Sequence, residues 1–143
     1  MRGIMGRVIS TQNLSTERNR LMKAMVVALR EIGSQTEFND ESRDLAAFLA
    51  AALRTVAETV DRSVEPWEKR GYWIKADRFR MDWAWVEPLA LTLKKAVTAE
   101  DVAGIAAAVA QLGGKLKGVQ VAEKHRLGKP WIGAWQKLKG ENK

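Results

Sequence analysis

Apolar side chains alternate at spacings of four and three residues from position 72 to position 97, and this pattern restricts the fold more than any other feature of the chain. The members of this stripe are Tyr72, Ala76, Phe79, Trp83, Val86, Ala90, Leu93 and Val97. Such a period places them on one face of an α-helix, whereas a strand requires alternation every second residue. The spacing predicts a helix over 72–97 with a kink at Pro88, because the stripe continues in phase through the proline.

Three further stretches show the same helical period. They predict helices over 15–33, 40–69 and 99–118. Ser15 suits the N-cap of the first and Asn39 or Asp40 that of the second, while Thr98 with Asp101 resembles a capping box. Four amphipathic helices with short connections predict an all-α fold, an antiparallel four-helix bundle.

The inward faces of these helices give a predicted core. Its members are Leu49, Leu53, Val56, Phe79, Trp83, Val86, Leu93, Ile105, Val109 and Leu112. A Trp83→Ala change is expected to destabilise the fold by about 3–5 kcal/mol, because it deletes a large buried aromatic side chain.

The net charge of +7 is concentrated at the two ends of the chain. Residues 15–114 carry 14 basic and 15 acidic side chains, whereas residues 115–143 carry eight basic and two acidic ones. We therefore predict a basic N-terminal arm (1–14), the four-helix bundle (15–119) and a basic C-terminal extension with a short helix (120–143). Basic ends on a neutral body indicate an anionic partner, although solubility alone also explains them.

The C-terminal extension interleaves cations with tryptophans. The candidate residues for binding nucleic acid or another partner are Lys124, Arg126, Lys129, Trp131, Trp135, Lys137 and Lys139. Cations meet phosphates and indole rings stack on bases, so this composition suits single-stranded nucleic acid. Three alternatives stay open: the extension folds back over the bundle as a strap, docks in a partner's groove, or lies on an anionic membrane surface.

An aromatic and arginine-rich segment, residues 71–85, is the second candidate site. Its off-stripe members Trp73 and Trp85, with Arg78 and Arg80, suit stacking on a base or a flat ligand. Packing against helix two, the C-terminal extension or another subunit is the favoured interpretation, because large aromatic side chains bury the most surface.

Catalysis has the weakest support in the sequence. The chain has no cysteine, and His125 is its one histidine, so thiolate chemistry and metal sites built on several imidazoles are excluded. Carboxylates on one face of helix two (Glu58, Asp61, Glu65 and Glu68) are expected to form ion pairs on a solvated surface. We predict no enzymatic activity, no catalytic or metal-binding residue and no cofactor.

These observations favour a non-enzymatic helical interaction or assembly protein that contacts nucleic acid or a nucleoprotein through its basic ends. A purely protein–protein helical module or homo-oligomer is the alternative, and a small-molecule sensor or enzyme using residues 72–85 ranks third. No stretch is long and apolar enough for a membrane span, and the lack of cysteine favours the cytoplasm.

Overall fold

The computed structural model describes residues 11–141, and all regular secondary structure in that range is helical. The helices are α1 (Thr11–Gly33), α2 (Asp40–Lys69), α3 (Trp73–Asp82), α4 (Val86–Thr98), α5 (Val102–Lys115) and α6 (Ala134–Glu141). The predicted all-α class is confirmed.

Helix α2 is the centre of the fold. Its bounds are those predicted, and its first turn is closed by a capping box in which the Asn39 side chain accepts from the Ser42 amide at 3.0 Å. The Ser42 hydroxyl accepts in return from the Asn39 amide at 3.2 Å. Helices α1, α3, α4 and α6 all pack on α2, and α5 packs on α4 and α1. One long helix therefore positions nearly every other element.

Most of the predicted core is buried, and three members are not. Phe79, Trp83 and Val109 are only half-buried, and Trp83 and Val109 pack at the edge of the main apolar cluster. The core also contains Trp131 and Leu138 of the C-terminal extension, which the bundle stripes did not include. The C-terminal extension therefore contributes to the same apolar cluster as the other helices.

The predicted helix over 72–97 is wrong as a single element, because residues 83–85 form a turn between α3 and α4. Within it, the amides of Trp83 and Val86 donate to carbonyls three residues earlier, at 3.2 Å and 3.1 Å. Pro88 lies in the first turn of α4, where its missing N–H group has no intrahelical acceptor to lose.

Three predicted boundaries also differ from the structure, one of them the end of the fourth predicted helix, which lies at Lys115 and not at residue 118. Residues 11–14 of the predicted basic arm belong to α1, where Leu14 is buried, and residues 1–10 of that arm lie outside the described range. Helix α5 begins at Val102, three residues after the predicted start, because Asp101 is itself the N-cap and accepts from the Gly104 amide at 3.0 Å. Thr98 is instead the last residue of α4.

Candidate interaction surfaces

The C-terminal extension folds back over the bundle as a strap, which we define as residues 116–141. At its beginning, the Arg30 guanidinium of α1 donates to the backbone carbonyls of Val121 and Ala122, the latter at 3.2 Å. Leu116, Val119 and Leu127 turn their side chains toward the core. The strap therefore follows the bundle closely before it reaches α2.

Two carboxylates in the first turns of α2 hold the far end of the strap. Asp44 accepts from the backbone amides of Gly133 at 3.1 Å and Trp135 at 2.9 Å. The Trp131 indole N–H donates to Glu41 at 3.3 Å. Gly133 has φ of +83°, a left-handed conformation that glycine adopts without strain, and this geometry turns its amide toward Asp44.

The predicted nucleic-acid residues of the strap divide into two groups. Trp131 is 1% exposed, and its indole is a core side chain. Trp135 is half-buried, and the Lys139 ammonium lies 5.4 Å from its ring centroid. The cations are all exposed: Lys124, Arg126, Lys129, Lys137 and Lys139. The strap thus separates its apolar residues, which anchor it, from its charges, which face solvent.

A row of four aromatic rings joins the end of α2 to the start of α4. Trp67 meets Phe79 edge-to-face at 5.4 Å, Phe79 meets Trp83 at 6.3 Å, and Trp83 stacks on Trp85 at 6.3 Å. Cations lie over this row as well, with the Lys75 ammonium 4.4 Å from Trp67 and the Lys115 ammonium 5.7 Å from Trp85. For Trp85, the favoured packing interpretation agrees with this placement.

Arg18 of α1 is a buried cation against the middle of the same row. Its guanidinium lies 5.1 Å from the Phe79 centroid and 5.4 Å from that of Trp83. It also donates to the hydroxyls of Thr59 and Ser63, each at 3.2 Å. Burial lowers the pKa of Arg18, because desolvation disfavours the charged form. Charge-to-ring contacts are stronger when desolvated, so Arg18 ties α1 to both α2 and α3.

Arg80, a predicted ligand-binding residue, is engaged within the fold. It pairs with Asp61 at 2.6 Å and with Glu68 at 3.3 Å, which fastens α3 to α2. Partial desolvation lowers the pKa of Arg80, but the hydrogen bonds and charges of Asp61 and Glu68 outweigh it, and the pKa is raised. Among the helix-two carboxylates, Glu58 pairs with Arg54 of its own helix at 3.7 Å, whereas Asp61 and Glu68 pair with Arg80 of another helix. The remaining predicted members, Trp73 and Arg78, are exposed.

Several large apolar side chains are exposed in the turn between α2 and α3 and along α3, a surface that we call the aromatic corner. Its exposed side chains are Tyr72 (52%), Trp73 (63%), Ile74 (75%) and Met81 (70%). Tyr72, Trp73 and Ile74 border an open groove of about 700 Å³, and Met81 lies outside its lining. The other walls of the groove include Trp67, Lys75, Arg78, Phe79 and Asp82. Gly71, with φ of +78°, makes the turn that brings the two helices together. Sequence reasoning placed Tyr72 on the core stripe and passed over Ile74 and Met81, whose common helical face at a spacing of seven was the available signal.

Outside these surfaces, Arg43 pairs with Asp40 at 3.2 Å and with Glu100 at 2.7 Å. His125 is exposed in the strap, where its Nδ1 accepts from the Leu127 amide at 3.2 Å. No group of three or more histidine, aspartate or glutamate side chains within residues 11–141 is arranged to hold a metal ion. No helix in the same range has the length and apolar character needed to cross a membrane.

Comparisons of the chain with protein-family models, with curated proteins and with solved structures found no match to any of them.

Proposed function

We propose that this protein is a non-enzymatic helical interaction protein that binds the phosphate backbone of nucleic acid through the cations of its strap. The observation that carries the proposal is the division of the strap into a buried apolar face and an exposed basic one. Residues 115–143 have eight basic and two acidic side chains on a body that is close to neutral. A surface of this kind attracts polyanions without any requirement for base sequence.

The anchoring of the strap favours this role over that of a loose basic tail. Asp44, Glu41 and Arg30 hold its backbone and Trp131 at both ends, so the cations between these contacts are carried on an ordered segment. Ordered cations lose less conformational freedom on binding than those of a flexible chain. Within residues 11–141, Lys124, Arg126 and Lys129 form no ion pair that would need to be broken.

Binding by charge alone has a different signature from binding by stacking. Trp131 has no exposed ring face, and the Trp135 ring is in cation–π contact with Lys139. We therefore expect counterion release to dominate the affinity. The logarithm of the affinity for single strands then falls linearly with the logarithm of the salt concentration, with a slope of roughly 0.7 for every phosphate engaged. We expect little preference among base sequences.

The test is fluorescence anisotropy of the full chain with a labelled mixed-sequence single-stranded oligonucleotide over a series of salt concentrations. The triple variant Lys124→Gln, Arg126→Gln, Lys129→Gln should weaken binding and flatten the salt slope by roughly two, at about 0.7 for each lost phosphate contact. The matched control is Arg20→Gln, Lys23→Gln, Lys95→Gln, which removes the same charge from exposed sites on the body. Equal losses in both variants, or no binding at low salt, would refute the proposal.

A purely protein–protein function is the second candidate, and the aromatic corner is the observation that favours it. Four large apolar side chains exposed together are unusual on a surface that has no partner. Under this alternative, the strap serves only stability, and neither variant binds oligonucleotide. In either case we propose a cytoplasmic location, with which the lack of cysteine is compatible.

A further inference from the structure

We propose that the aromatic corner is a second, independent binding site, and that its ligand is an acidic peptide segment with a large apolar anchor side chain. The groove supplies the shape, since its floor contains the half-buried rings of Trp67 and Phe79 in edge-to-face contact. An apolar side chain of a partner that enters the groove would contact these two aromatic rings.

The rim of the groove supplies the charge that selects the ligand. Lys75 and Arg78 line the groove together with one carboxylate, Asp82, and Lys69 and Arg70 directly precede its lining residue Gly71. Lys69, Arg70, Lys75 and Arg78 are all exposed, and none forms an ion pair within residues 11–141. Carboxylates placed next to the apolar anchor would meet these cations, so charge complementarity favours an acidic peptide over a neutral or basic one.

The site is firmly supported from beneath, which a binding surface requires. Arg80 of α3 pairs with Asp61 and Glu68 of α2, and the Arg18 guanidinium of α1 lies over the Phe79 ring. These contacts hold α3 against α2 without using the exposed side chains. Trp73 and Ile74 are therefore free to contact a partner at no cost to the fold.

The corner and the strap lie at opposite ends of α2. Asp44 holds the strap near the start of the helix and Trp67 lies in its last turn. These positions are about 35 Å apart along the axis at about 1.5 Å per residue. A peptide at the corner and a polyanion on the strap can therefore be bound together, and the helix would hold them at a set distance.

The experiment pans a displayed library of random peptides against the full chain and measures the selected peptides by fluorescence anisotropy. We expect the selected peptides to share an aromatic or large aliphatic residue beside aspartate or glutamate. The double variant Trp73→Ser, Ile74→Ser should weaken binding by about tenfold or more, since anchoring contacts dominate such interfaces. Leu91→Ser is the matched control, because Leu91 is 59% exposed on α4 and its loss should leave affinity unchanged.

A charge variant tests the second half of the proposal. Lys75→Gln with Arg78→Gln should weaken binding and reduce its dependence on salt, whereas Lys95→Gln on α4 should do neither. Thermal unfolding of each variant should match the parent protein, because all the altered side chains are exposed. Selected peptides without carboxylates, or affinity that survives the Trp73 and Ile74 changes, would overturn the proposal.

Two other occupants of the aromatic corner are tested by separate measurements. Flotation with phosphatidylserine vesicles that is lost in the Trp73→Ser, Ile74→Ser variant would assign the corner to a lipid surface instead. Sedimentation that shows a dimer in the parent and a monomer in that variant would assign it to a second copy of this chain. The Lys124→Gln, Arg126→Gln, Lys129→Gln variant should keep its affinity for the peptide, and the Trp73→Ser, Ile74→Ser variant should keep its affinity for the oligonucleotide. A failure of one proposal can therefore be distinguished from a failure of the other.

Discussion

Removal of the Trp131 side chain is the most direct test of how the strap is held. Its indole is 1% exposed and packs in the core, and truncation of such a side chain to alanine costs about 3–5 kcal/mol. The lost hydrogen bond to Glu41 adds to this, placing the expected value in the upper half of that range. At roughly 3 °C per kcal/mol for a chain of this size, the melting temperature should fall by about 10–15 °C.

Urea unfolding followed by far-ultraviolet circular dichroism measures the loss of stability. The matched control is Trp73→Ala, which deletes the same ring from an exposed position and should change the free energy of unfolding by less than about 0.5 kcal/mol. The slope of the unfolding free energy against urea concentration is a second readout. If the strap detaches in the Trp131→Ala variant, less surface remains to be exposed on unfolding and this slope decreases.

A Trp131→Ala protein within about 0.5 kcal/mol of the parent would refute the reasoning, because that result is typical of surface substitutions. The strap would then be at most loosely associated with the bundle. Its cations would have to be treated as a flexible tail, and the argument from an ordered basic surface would fail.

Three further predictions concern contacts that join different helices. Asp44→Ala should destabilise the protein by about 1.5–3 kcal/mol, because two backbone amides lose a charged acceptor, and hydrogen exchange should show faster exchange at Gly133 and Trp135; unchanged exchange there would contradict it. Arg18→Ala should cost about 2 kcal/mol or more in urea unfolding, and Arg18→Met should cost less, because methionine retains side-chain packing against the Phe79 and Trp83 rings and alanine does not. In both variants the Thr59 and Ser63 hydroxyls still donate to their own helix, at 2.6 Å and 2.7 Å, so an equal loss would contradict the role given to packing. Trp83→Ala should cost about 2 kcal/mol, less than the sequence alone predicted and less than Trp131→Ala, because Trp83 is only half-buried; thermal melts of the two variants in parallel would decide it.

Local periodicity accounts for what sequence reasoning predicted correctly. Helix α2 was predicted over its full observed range, because one apolar stripe runs through it and an asparagine caps its first turn. The helical class followed from the same stripes. These features depend on residues within a few positions of one another, so a single sequence is enough to recognise them.

The break between α3 and α4 shows the limit of that reasoning. The apolar stripe remains in phase across residues 83–85, so periodicity alone predicts a continuous helix. The turn allows Trp83 to stack on Trp85 while Arg18 lies over the Trp83 ring. The contact of Arg18 with Trp83 joins residues far apart in the chain, and local spacing contains no information about it.

The same division between local and long-range information applies to the candidate surfaces. The amino-acid sequence by itself determined the helical class, the neutral body and the concentration of positive charge at its ends, because composition and short-range spacing are properties of the chain. Only the tertiary structure decided that Trp131 is a core side chain, that Arg80 is an internal clamp and that Tyr72, Trp73, Ile74 and Met81 stay exposed. Each of these outcomes depends on which helix packs against which, and packing is set by shape and charge between residues that the sequence keeps far apart.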